Sequence, residues 1–252
     1  YFMDASFPHS QPNLIPVDTY NESGLLLQPE SFSWVDISPP KSIFSIDITV
    51  DARLDPQGTV SGEIATASSG YPAQIIRRQT AGGEPPESIL SQVVFDGYTN
   101  VTFSGVELSD VSNYEQPVKI KAEFRLEDYA ASFSDGLQFR PMIVGYLMSN
   151  PFNEGDRDLP VTLDAPEQLN LTYRIQIPDG FTVADGAENR SIALRGARLT
   201  ESYKVEGNIL NYEFHIDITR KRFEPELYPQ LLDLYKRWVQ ISNSTWLISR
   251  EQ

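Results

Sequence analysis

At 252 residues, with 40% apolar and 22% charged side chains, the chain can bury one large core or two ordinary ones, and its composition argues against disorder. Acidic residues outnumber basic ones 35 to 20, and a net charge of −15 excludes a nucleic-acid partner, whose phosphates demand clustered Lys and Arg. The absence of cysteine removes disulfides, thiolate metal sites and cysteine nucleophiles together, and no window reaches the roughly 18 apolar residues of a membrane span.

Residues 1–42 hold Asp4, Asp18, Glu22, Glu30 and Asp36 but a single base, Lys41. Frequent proline and serine predict extended chain with short strands at Tyr1–Asp4, Leu25–Gln28 and Phe32–Ile37, closed by a Pro39-Pro40 linker. The apolar opening Tyr1-Phe2-Met3-Asp4 predicts a chain cut within a larger folded protein. From Ser42 to Leu54 the sequence alternates with period two and is rich in β-branched residues, which predicts a strand. Asp55-Pro56-Gln57-Gly58 is a turn signal, and Thr59–Ser68 is the returning partner. Helices are predicted at Pro72–Gln79 and Glu87–Phe95, followed by strands at Tyr98–Glu107, Val118–Glu127 and Gly136–Phe139.

A further unit begins near Leu159. Strands are predicted at Asn170–Ile177, Phe181–Ala184, Ser191–Arg195, Arg198–Glu206 and Ile209–Thr219, with turns at Pro178-Asp179-Gly180 and Glu206-Gly207-Asn208. Evenly spaced short strands point to a sandwich. From Glu224 to Ile241, Tyr228, Leu231, Leu232, Tyr235, Trp238 and Val239 form one helical stripe, read as a core face, and Trp246–Ile248 is a closing strand. The expected fold is mainly β: two β-sandwich-like units with a few helices, including an amphipathic C-terminal one. The expected division is 1–42, 43–158 and 159–252.

Chemistry within the chain is sparse. Serine catalysis needs a histidine base, and only His9 and His215 are present, without a Gly-x-Ser-x-Gly elbow. His215 shares its strand face with Glu213 and Asp217, which predicts a solvated sheet surface. Two distant histidines supply no metal cluster, and Asn153–Asp158 lacks the order of a calcium loop. Trp34, Tyr71, Tyr98 and Tyr114 could stack on sugars, although core or edge positions account for them equally well. Arg77, Arg140 and Arg157, near prolines at strand or helix ends, are expected to tie loops through carbonyl or carboxylate bonds.

Several local patterns then line up in order. Tyr1-Phe2-Met3-Asp4-Ala5-Ser6 precedes Leu14-Ile15-Pro16, and Gly70-Tyr71-Pro72-Ala73 precedes Arg77. Asn150-Pro151-Phe152, Arg157–Val161, Ile177–Phe181 and Glu226-Leu227-Tyr228 follow. Together they resemble the C-terminal portion of bacterial, Bacteroidetes-type transglutaminase-like proteins that carry flanking domains of unknown function.

The resemblance covers nearly the whole chain and implies that residues 1–42 are the tail end of a transglutaminase-like core plus linker. It matches Asp4 to the carboxylate of a Cys-His-Asp site, with the cysteine and histidine on a missing N-terminal core. It implies no cofactor and no metal, a periplasmic or extracellular location, and protein or peptide as substrate. Ser6 stands where that family usually has Thr, and Ile15-Pro16 matches loosely. On this reading the chain alone is non-catalytic and supports the core or shapes substrate access, while the parent is an acyltransferase or peptidase. The alternative is a stand-alone β-sandwich module binding glycan or protein at the bacterial surface.

Overall fold

Alternation of apolar and polar residues, read off strand after strand, builds one broad sheet with a dry face and a wet face. The computed structural model describes residues 2, 4, 7–20, 23–37, 43–95, 98–144, 147–185 and 189–250. The Pro39-Pro40 linker and most of the Tyr1–Ser6 motif lie outside the described residues.

A 3-10 turn at Val17–Thr19 leads to a hairpin of β1 (Ser23–Gln28) and β2 (Ser31–Asp36), whose strands, among the described residues, pair with each other alone. Next come β3 (Phe44–Leu54) and β4 (Val60–Gly70), joined at Asp55–Gly58. There the Asp55 carboxylate accepts from the Gln57 and Thr59 amides, each at 2.9 Å, as an Asx-type turn does. The chain continues through α1 (Tyr71–Ala81), α2 (Pro86–Val94), β5 (Val101–Leu108), β6 (Val118–Leu126), β7 (Ala131–Ser132), β8 (Gly136–Phe139) and β9 (Val161–Thr162). It then forms β10 (Glu167–Gln176), β11 (Phe181–Asp185), β12 (Arg190–Leu194), β13 (Ala197–Glu206), β14 (Ile209–Ile218) and β15 (Arg222–Phe223). The final elements are α3 (Tyr228–Ser242) and β16 (Trp246–Arg250).

The fold is mainly β, with three α-helices among the described residues, the last near the C-terminal end. Eight strands form one sheet in the order β12-β13-β14-β10-β3-β4-β6-β5. Its pairs are antiparallel except at the centre, where β3 and β10 run parallel from Phe44↔Glu167 to Arg53↔Gln176. Residues 44–126 thus supply four strands on one side of this seam, and residues 167–218 four on the other.

Ile46, Ile48, Val50, Leu169, Leu171, Tyr173, Phe214 and Ile216 point to the dry face. One continuous core runs from these residues to α1, α2, α3 and a second sheet of order β11-β16-β8-β7. The opposite face is wet: Arg174 pairs with Asp51 at 3.0 Å and Lys121 with Glu63 at 3.2 Å, all four side chains more than half exposed. Such exposed pairs contribute little stability; the buried face holds the sheet together.

The terminal helix is shorter than its periodicity predicts. Pro225–Leu227 coil as a 3-10 turn, and the α-helix begins at Tyr228. Pro229 is then in the first turn, where its missing N–H has no helical carbonyl to meet. The predicted stripe is a core face: Tyr228, Leu231, Leu232, Tyr235 and Trp238 are buried. The Trp238 ring lies 6.1 Å from Phe214 of β14.

Candidate functional site

The segment that carries Asp4 is held to the body of the protein by side chains distant in sequence. Phe2 and Asn13 close a loop reciprocally: the Phe2 amide donates to Asn13 Oδ1 and the Asn13 amide to the Phe2 carbonyl, both at 2.9 Å. Asp4 is half-buried inside that loop, and its carbonyl accepts from the Phe7 amide at 3.2 Å. Leu14, Ile15 and Tyr20 bury with Ile43 in a small satellite core.

Three side chains then clamp the backbone of this segment. Gln74 Nε2 donates to the Pro8 carbonyl at 2.8 Å, and the Tyr71 hydroxyl donates to the Ile15 carbonyl at 2.5 Å. Lys221 Nζ reaches the Val17 and Tyr20 carbonyls at 3.0 and 3.4 Å. Burial holds the Tyr20 and Tyr71 phenols above their ordinary range, so both stay protonated donors.

The other residues of the motif series have local physical roles. Gly70 turns β4 into α1 at φ 65°, and a Cβ there would sit 1.8 Å from the Ile43 carbonyl oxygen. Only glycine fits. Arg77 is buried at 2% exposure and donates to the carbonyls of Val111, Asn113 and Gln116 at 3.0–3.1 Å, with its guanidinium 4.8 Å from the Tyr114 ring. It ties down the loop between β5 and β6. Arg157 lies 4.9 Å over Tyr228, and Phe152 meets the edges of Tyr228 and Tyr235.

The chemical candidates separate in space. His9 Nδ1 is 3.3 Å from the Tyr114 hydroxyl, beside the Asp4 segment. His215 lies on the wet sheet face, with Nδ1 3.1 Å from Asn170 Oδ1 and Nε2 3.8 Å from Glu213. Within 153–158, Glu154 is paired with Lys236 at 2.5 Å, and no group of His, Asp and Glu among the described residues could hold a metal. Tyr71 and Tyr98 are half-buried and bonded to backbone carbonyls, and Tyr114 lies against Arg77. Trp34 is different: it is 69% exposed.

Trp34 belongs to the β1–β2 hairpin. Directly opposed residues in an antiparallel pair share a face, and the pairs here are Leu25↔Trp34 and Leu27↔Phe32. Those four side chains are 48%, 69%, 74% and 69% exposed respectively. An isolated two-stranded hairpin is marginal in water, and a face of four large apolar groups is what a protein–protein contact presents. The two strands were legible in the sequence; that their shared face is uncovered by the described residues was not.

Two desolvated carboxyls, half-buried Glu167 and buried Glu201, complete the electrostatics. Burial pushes Glu167, at the start of β10, up to about 7. Glu201 of β13 faces the core, accepts the Tyr212 hydroxyl at 2.9 Å, and is likewise raised by burial. Both arise from the depth of the sheet, and neither was visible from residue type.

Residues 135–248 match a family described as a domain of unknown function with solved structure, DUF3858. The match begins just before β8 and ends within β16. No curated protein matches the chain. A crystal structure from Parabacteroides distasonis, described as a "putative protease", is similar over 39% of this chain at 18% identity with a TM-score of 0.35. The chain spans 19% of that protein's length.

Proposed function

We propose that this chain is the non-catalytic C-terminal region of a secreted transglutaminase-like or cysteine-protease-like protein, placed in the periplasm or outside the cell. In this reading the first 42 residues complete a catalytic core supplied by the preceding part of the parent. The observation that carries it is the hairpin: Leu25, Leu27, Phe32 and Trp34 form a sheet face that no other described residue covers, as the last hairpin of a core would. The match of residues 135–248 to a domain of unknown function accords with a parent in which such domains flank the core.

Asp4 has a defined role in that reading. Its carboxylate accepts the Nδ1–H of an imidazole from the core and so aims Nε2 at a thiol, which attacks a carboxamide or peptide carbonyl. The Gln74, Tyr71 and Lys221 clamps would fix the segment that bears Asp4, so this region positions a catalytic group without performing chemistry itself. A protein or peptide is the substrate, and no cofactor is needed.

The gene upstream of Tyr1 should encode a Cys at a helix start and a His roughly 15 residues before Asp4. In the parent, Asp4→Asn should lower kcat by several orders of magnitude with substrate affinity little changed, by analogy with the triad carboxylate of other enzymes. An unrelated upstream module, or full activity in Asp4→Asn, sinks the proposal. A second reading, a glycan-binding module, is favoured by the exposed Phe32 and Trp34 side by side. It requires saturable glycan binding by this chain that is lost in Trp34→Ala.

A further inference from the structure

Beside the clamped segment lies an apolar cleft of about 400 Å³ that none of the roles above uses. It opens between residues 7–18 and the outward stripe of α1, where Tyr71, Gln74, Ile75 and Arg78 follow one another at helical spacing. Its bed is Phe7, Phe44, Tyr71 and Ile75. The Phe7 and Tyr71 rings stand edge to face at 6.1 Å, and the polar ends of Tyr71 and Gln74 are spent on the Ile15 and Pro8 carbonyls. What remains polar is charge: Arg78 from the helix, with Asp18 and Asp164 from the flanking loops. Among the described residues no hydrogen bond or ion pair engages these three groups.

The size suits a ligand of about 20 heavy atoms. The charges narrow its chemistry. A phosphate or nucleotide would meet two carboxylates for one guanidinium and be repelled. A neutral lipid would cover the apolar bed and make no use of the three charges, which are exposed and stay hydrated. A simple cation would leave Arg78 without a partner. A molecule that carries an apolar side chain, an ammonium and a carboxylate satisfies all of them. We propose that the cleft binds short apolar peptides with free termini, a side chain on the Phe7–Phe44–Tyr71–Ile75 bed, the carboxylate on Arg78 and the ammonium on Asp18 or Asp164. This goes beyond the accessory role above and does not depend on it, because the cleft is built wholly from this chain.

The test uses the chain as it stands, titrated calorimetrically with the dipeptide Phe-Leu, its N-acetyl form, its C-terminal amide and the doubly blocked form. Phe-Leu should bind with a dissociation constant on the order of 0.1 mM, and blocking either terminus should weaken it about tenfold. Arg78→Gln should weaken Phe-Leu by a similar factor and leave the amide unchanged. Ile75→Lys should abolish binding. Both positions are exposed, so the variants should melt as the parent chain does. The proposal is overturned if Phe-Leu shows no saturable binding at about a hundredfold excess over the expected constant. It is equally overturned if the doubly blocked peptide binds as well as the free one, or if Arg78→Gln affects acid and amide alike.

Discussion

Arg77 and Gly70 belong to one sequence motif and are fixed by opposite needs, one of hydrogen bonding and one of space. Replacing the buried guanidinium strands three loop carbonyls, so Arg77→Met should cost roughly 2–4 kcal/mol in chemical denaturation. Arg77→Lys should recover only part of that, because an ammonium cannot span the three acceptors as a planar fork does. Gly70→Ala would put a methyl group 1.8 Å from the Ile43 oxygen at a left-handed φ, and should destabilise at least as much.

Glu167 gives a prediction with a sign. Its pKa is raised by burial, so the folded chain holds its proton more tightly than the unfolded chain, which titrates near 4.5. The stability contributed by this group is therefore full below about pH 4.5 and is lost as pH rises through about 7. Glu167→Gln should raise the melting temperature above pH 7, by roughly 1–2 kcal/mol in stability, and the gain should vanish near pH 4.5. A gain independent of pH in paired scans would mean that packing, not charge, limits the site. Glu201 is raised in the same direction, so the test lies in the difference between variant and parent.

At the scale of elements, two apolar stripes that look alike in sequence meet opposite fates. The α3 stripe is covered by the dry face of the sheet; the β1–β2 stripe is left exposed by the described residues. Periodicity reports that the α3 face is apolar and is silent about what lies against it, and the two short strands were predicted without a face at all, so the elements were legible and their environments were not. Trp238→Ala should cost roughly 3–5 kcal/mol, because it empties a filled site between α3 and β14. Leu27→Ser and Trp34→Ser should each stay within about 0.5 kcal/mol in this chain, while weakening the association of the proposed core with it. If they destabilise the isolated chain as Trp238→Ala does, the hairpin face is covered after all. The two-residue strands β7, β9 and β15 escaped the sequence reading because a period of two cannot be counted over two residues.

For the whole molecule, the decisive contact is the parallel pairing of β3 with β10. Each strand carries its own alternation, and β3 finds β4 across a short turn, which is what local sequence can specify, whereas β10 pairs with β14 from beyond three intervening strands. The seam itself joins residues more than 120 positions apart and leaves no mark in any window. It nevertheless sets the character of the fold, because both strands are buried on one face and bonded on both edges. The second sheet repeats the interleaving: β8, from residues 136–139, pairs with β16, from residues 246–250. A chain beginning at residue 159 would lose one of the two partners of β10 and one of the two partners of β16 together. Its counterpart ending at residue 158 would expose the other edge of the seam, Ile46, Ile48 and Val50 included. Expressed separately, neither piece should show a cooperative thermal transition, whereas the intact chain should melt once, as a main core continuous across both halves requires. Cooperative melting of residues 159–252 alone, seen by calorimetry, would show instead that the seam joins two independently stable units.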